Sequence, residues 1–195
     1  MAGSFALQAV VLALPAVAAG AFTLMLDRRM RALRVHVTTS AAPRGEISLQ
    51  LARGRAAVVA ILRSWDHQIA GRGERAIDVA LTLLDLDAIY IKRYGTTFAC
   101  AGLAPIVGLG RAWPGAWLWL ACAAWFLAVA AMGRADTIEN AQMTELLRAG
   151  PDGVQAGHHD AAIVRMNAAA RVKFTLLAVE SIAVVALWVA FVRAR

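Results

Sequence analysis

A chain of 195 residues with 60% hydrophobic side chains and a mean hydropathy of +0.60 is more apolar than a soluble domain, for which about 45–50% is ordinary. Its net charge of +7 sits beside the apolar stretches and is not interleaved with aromatics, which argues against a nucleic-acid face and fits contact with anionic lipid headgroups. The two cysteines, Cys100 and Cys122, both fall inside apolar stretches, which excludes a secreted disulfide framework. They read as small apolar side chains, with one disulfide between two spans as the alternative.

The first apolar stretch, Ser4–Leu26, is long enough to cross a hydrocarbon core, which takes about 20 helical residues. It has no basic segment before it, and its positive charges follow it in Asp27-Arg28-Arg29-Met30-Arg31. That order fits a retained span better than a cleaved signal peptide. Pro15 near its middle predicts a kink that neighbouring helices can accommodate.

Residues 27–93 read as a long cytoplasmic section. Beyond a break at Ala41–Gly45, apolar Ile47, Leu49, Leu51, Val58, Val59, Ile61 and Leu62 recur at near-helical spacing beside Arg53, Arg55 and Arg63. Two readings stay open: an amphipathic helix lying at headgroup level, or a soluble helix packed on a neighbour. In either case Arg28, Arg29, Arg53, Arg55 and Arg63 are expected to meet lipid headgroups. Gly71-Arg72-Gly73 marks a second break, and residues 74–93 read as a helix.

A second span covers about 94–111. Its uncharged run, Gly95–Gly110, is short for a crossing, so the helix starts earlier and places Asp85 to Arg93 at its cytoplasmic mouth. Pro105, Gly108 and Gly110 are expected to loosen its outer end. After an outward turn over Arg111–Gly115, a third span covers about 116–133. Trp113, Trp117 and Trp119 are expected in the outer interfacial belt, with Trp188 as their counterpart. The helix then continues into a second cytoplasmic section, 134–173, until Gly150-Pro151-Asp152-Gly153 ends it. A fourth span covers about 174–192. Twelve Lys/Arg lie between Arg28 and Arg93, five between Arg134 and Lys173, and three elsewhere, so the two basic sections face inward and both termini outward.

The expected fold is therefore all-α: an integral membrane four-helix bundle, one domain over 1–195, with an amphipathic helical segment between spans one and two. Within it, Asp136, Glu139 and Asn140 are spaced to share one helix face, and so are Asp87 and Tyr94. Both groups lie at the cytoplasmic boundary of spans two and three. Carboxylates, an amide and a phenol there can bind a cation, hold a proton or grip a polar headgroup. The simpler reading is that the acids neutralise Lys92, Arg93 and Arg134. Glu180, alone in span four, is expected to bond Thr97, Tyr94 or Arg134, or to serve as a proton or ion site. His158-His159-Asp160 lacks a metal-ligand spacing, and no nucleophile, P-loop or dinucleotide motif occurs. No metal, cofactor or catalytic residue is assigned.

The segments DAIYIKRYGTTFA (Asp87–Ala99) and GRADTIENAQMTELL (Gly133–Leu147) resemble a pattern of uncharacterised bacterial four-span membrane proteins. In that pattern an Asp and a Tyr seven apart open one span and Asp-x-x-Glu-Asn closes the next. The resemblance covers the middle third of the chain. It implies the four-span architecture and a polar site at Asp87, Tyr94, Asp136, Glu139 and Asn140, but no activity.

The function expected is a non-catalytic accessory or scaffold protein of the bacterial inner membrane. It binds anionic lipid and a partner membrane subunit or a second copy of itself, and no nucleic acid. The alternative is a membrane enzyme or transporter that uses the carboxylate cluster on a lipid headgroup, ion or small polar molecule.

Overall fold

The computed structural model describes residues 2–110 and 115–194, so Arg111, Trp113 and Arg195 lie outside the described residues. The described chain is helical: α1 (Ala2–Arg34), a 3-10 turn (Val35–Val37), α2 (Glu46–Gln50), α3 (Arg55–Trp65), α4 (Ala76–Leu109), α5 (Gly115–Gln155) and α6 (Asp160–Arg193). Among the described residues there is no β-strand, only an isolated bridge between Gln68 and Arg75 that closes the turn over Gly71 and Gly73. α5 is interrupted where expected: Gly150 takes a left-handed φ of 67°, and Pro151 follows it. Glycine alone adopts that conformation without a Cβ clash, and proline suits the start of a new helical turn.

The chain divides into two compact units. The first comprises Met1–Leu24, Ile91–Arg134 and Lys173–Arg195, and so takes segments of α1, α4, α5 and α6. Its interior centres on Ile106, Trp125 and Val129, with Phe98, Leu103, Leu118 and Leu187 against them. Two indoles tie this unit together. Trp125 Nε1 donates to Phe98 O at 3.1 Å, and Trp188 Nε1 donates to Ala101 O at 2.9 Å. The helical donor for Ala101 O would be the amide four residues on, which is Pro105 and has no N–H. Trp188 supplies that missing bond from α6. Its ring also meets Phe191 edge-on, with centroids 5.6 Å apart. Trp188 is thus an interhelical tie, whereas Trp117 and Trp119 are exposed.

Close approach, rather than looseness, explains Gly102 and Gly108 of α4. A Cβ on Gly102 would lie 2.0 Å from the Trp125 ring, and one on Gly108 would lie 2.3 Å from Phe191. α4 continues through Pro105 to Leu109. Cys100 and Cys122 are free thiols, each half-buried.

Among the described residues two helices, α5 and α6, are long and apolar enough to cross a membrane, and only 17% and 11% of their most apolar stretches are buried. A core helix of a soluble protein would be mostly buried. Among the described residues α4 does not meet the same criterion. For α4 the reason is the short apolar run that follows Lys92 and Arg93.

The second unit, Met25–Tyr90 with Ala135–Val172, has an ordinary inward-facing core. Leu49, Val58, Leu62, Trp65, Leu83, Met143, Leu146 and Met166 are wholly buried in it. Each such side chain contributes about 1.5–3 kcal/mol by leaving water. Trp65 Nε1 donates to Val37 O at 2.7 Å. This packing decides between the two readings of the segment after residue 45. Most of the apolar face is buried in the protein's own core, as a soluble helix packed on a neighbour requires, while Leu51 stays 45% exposed. The segment is not one helix: α2 and α3 are separated at Ala52–Gly54, where Gly54 has φ 85°.

Candidate functional site

The polar residues of interest gather in the second unit because two helices each turn a mixed face inward. On α5 the stripe Asp136, Glu139, Asn140, Met143 repeats every three or four residues, and Met143 is wholly buried in the core. The preceding polar residues follow it inward, so Asp136, Glu139 and Asn140 are 3%, 0% and 8% exposed. On α4, Asp87 stands one turn beyond the buried Leu83 and Leu84, and Tyr90 one turn further. Asn140 Nδ2 donates to Asp87 Oδ2 at 2.7 Å, which joins the two helices.

A charged pair lies in the same unit. Arg34, the last residue of α1, donates from Nε to Glu46 Oε1 at 2.7 Å and from Nη2 to the same oxygen. Glu46 is 5% exposed. The guanidinium's pKa is raised, chiefly by the hydrogen bond to Glu46 and against the opposing effect of burial. Asp27 and Asp87 contribute in the same direction as Glu46. Tyr90 feels Asp27, Asp87 and Asp136, opposed by Arg34, but burial is the main cause that pushes its phenol above the ordinary 10.0. One polar network therefore draws on α1, α2, α4 and α5.

The structure brings together Asp87 and Asn140, with Asp136 and Glu139 on the same buried face. It places Tyr94 and Glu180 in the other unit, both buried. Glu180 is 1% exposed, and neither of its carboxylate oxygens accepts a hydrogen bond among the described residues. The expected bond from Thr97 is absent, since Thr97 Oγ1 donates to Arg93 O within its own helix. Lys92, Arg93 and Arg134 are exposed and make no ion pair among the described residues. Arg93 instead sits 4.7 Å over the Phe22 ring, a cation–π contact. Among the proposed headgroup arginines, Arg28, Arg29, Arg53 and Arg63 are exposed, while Arg55 is held by Asp160.

Sequence reasoning missed Arg34, Glu46 and Tyr90. Tyr90 was within reach, three residues from Asp87 on a helix already assigned. Arg34 and Glu46 were not, because only the fold closes the loop between them. No group of three or more His, Cys, Asp or Glu side chains among the described residues is placed to hold a metal ion.

A further cavity of the second unit, about 860 Å³, opens between the start of α3 and the first half of α6 and is lined by Arg53, Arg55, Asp160 and Arg171. Arg55 donates from Nε to Asp160 Oδ1 at 2.9 Å and from Nη2 to Oδ2. That hydrogen bond lowers the Asp160 pKa below the usual carboxylate range and raises that of Arg55.

No family model matches the chain, and no curated protein or solved structure matches it. Among the described residues, fold and site define an all-helical protein with two membrane-length apolar helices and a buried, hydrogen-bonded polar network.

Proposed function

We propose that this chain is a non-catalytic integral membrane protein that crosses the bilayer four times and serves as an accessory or scaffold subunit. Its spans lie at about 4–26, 94–111, 116–133 and 174–192, with the basic sections 27–93 and 134–173 in the cytoplasm and both termini outside. Its home is the bacterial inner membrane. Exposed arginines hold anionic lipid, and the apolar surface meets lipid and either a partner membrane subunit or a second copy.

The observation that supports this best is how side chains are sorted between the two units. In the unit built from residues 1–24, 91–134 and 173–195, Val17, Trp119, Leu127 and Ile182 are 70%, 75%, 69% and 71% exposed. Soluble monomers rarely expose contiguous apolar patches beyond a few hundred Å². The other unit turns its large apolar residues inward and carries most of the basic charge. The alternative of an enzyme or transporter working through the carboxylates is less well supported, because Asp136 and Glu139 are buried.

Two measurements test the proposal. Gentle purification from native membranes followed by mass spectrometry is expected to return a stoichiometric membrane partner or a homo-oligomer. A lone chain that turns over a small substrate would replace this reading with the catalytic one. In a chain with Cys100 and Cys122 changed to Ser, a cysteine at Ala194 is expected to react with an impermeant maleimide in intact cells. One at Arg29 is expected to react only after lysis, and the reverse pattern defeats the topology.

A further inference from the structure

The cavity beside α3 is a concave, basic site with an apolar shoulder. Its volume of about 860 Å³ falls within the range of small-ligand pockets. Three guanidinium groups and one carboxylate line it: Arg53, Arg55, Arg171 and Asp160. The Arg55–Asp160 pair is self-neutralising, so the charge offered to a ligand comes from Arg53 and Arg171. Both are exposed, and neither makes an ion pair among the described residues.

The site is held in shape by backbone contacts. Asn167 of α6 donates from Nδ2 to Ala52 O at 2.9 Å, which pins the segment just before Arg53 against α6. Arg171 lies one turn further along that helix, on the same face as Asn167. Gly54 begins α3 without any side-chain cap, so the first-turn amides of this eleven-residue helix have no capping side chain. Amides in that position favour an anion. The apolar shoulder is Val164, 68% exposed within the same groove.

We propose that this groove binds a phosphate-bearing anion, with Arg53 and Arg171 as forked donors to its oxygens and Val164 against the apolar part of the molecule. The chemistry is shared by the headgroup of an anionic phospholipid and by a soluble phosphate compound. The inference rests on the reading that the chain binds anionic lipid, and it localises that binding to one place. Arginine suits the role because its planar fork meets two phosphate oxygens at once.

The test uses the full chain purified in detergent, with binding measured calorimetrically. The probes are short-chain phosphatidylglycerol, short-chain phosphatidylcholine and inorganic phosphate. The variants are R53Q/R171Q and R44Q/R148Q, the latter removing two exposed arginines that do not line the groove. Saturable phosphatidylglycerol binding is expected, weakened by at least about tenfold in R53Q/R171Q through the loss of charge-assisted hydrogen bonds and unchanged in R44Q/R148Q. Unchanged thermal unfolding of both variants excludes a folding defect. Binding of inorganic phosphate alone with the same dependence on variant keeps the site and makes its ligand the soluble phosphate compound. Equal affinity for phosphatidylcholine, equal weakening by both variants, or no binding by the wild type overturns the groove. A chain that still co-purifies with its membrane partner in that event leaves the scaffold reading standing, and loss of that partner is what removes it.

Discussion

Asn140 on α5 gives its side-chain amide to the carboxylate of Asp87 on α4 at 2.7 Å, a bond between residues 53 apart in sequence. The amide is the donor, so Asp87 must remain an acceptor, and the pair works best with Asp87 ionised. Asn140→Ala is expected to cost about 1.5–3 kcal/mol, the range for losing a hydrogen bond to a charged group. Asn140→Asp places a second carboxylate against the first and should cost more at neutral pH. It should recover part of that loss on acidification, when one of the two binds a proton. Thermal unfolding at two pH values checks this, and an Asn140→Asp protein equally stable at both would refute the ionised pair.

Arg34 and Glu46 form the other test of the network. Removing one partner of a largely buried pair costs about 3–5 kcal/mol because the other charge is stranded. Arg34→Leu is therefore expected to be strongly destabilising, and the double replacement Arg34→Leu with Glu46→Leu less so than the single one. A double variant as unstable as the sum of the two single variants would show that the residues do not act as a pair.

The chain has two tyrosines, so a Tyr94→Phe protein reports on Tyr90 alone. Burial, first, and the nearby acids raise its phenol above 10.0. The folded state therefore binds this proton more tightly than the unfolded state. Its contribution to stability is complete below pH 10 and is lost as pH climbs through the folded value. Tyrosinate absorbance should appear only above pH 10 in the folded protein. Ionisation below that point would mean the ring is in water.

Two glycines of one helix should respond with opposite signs. Gly102→Ala forces a methyl against the Trp125 ring and is expected to cost about 1–3 kcal/mol by overpacking. Gly95 has open space around its Cα, so Gly95→Ala should stabilise by about 0.5–1 kcal/mol through helix propensity. Unfolding in detergent separates them, and two changes of the same sign would contradict the packing described for α4.

Glu180 is buried with no hydrogen bond to either oxygen among the described residues. Burying a polar group in that state costs about 1–3 kcal/mol. Glu180→Leu is accordingly expected to raise stability. A loss of stability would mean that the carboxylate holds the helices together.

Much of this was readable in the residues. The helical class, the breaks at residues 41–45, 71–73 and 150 and the shared face of Asp136, Glu139 and Asn140 follow from spacing and from glycine and proline chemistry. The fate of the apolar face over 47–62 did not follow, because lipid and a protein core ask for the same periodicity. The choice fell to Trp65, Leu83 and Met166, which only the fold assembles beside it. The pairing of Arg34 with Glu46 was invisible for the same reason.

Trp188 and Pro105 share a single carbonyl, that of Ala101, and this makes the two positions epistatic. With proline at 105, an indole at 188 is the donor that carbonyl has; with alanine at 105, the helix supplies its own and the indole becomes dispensable. Replacing Trp188 by Phe should thus be far more harmful in the native chain than in one already carrying Pro105→Ala. A drift of sequence at either position is constrained by the other, although they are far apart along the chain and sit on different helices.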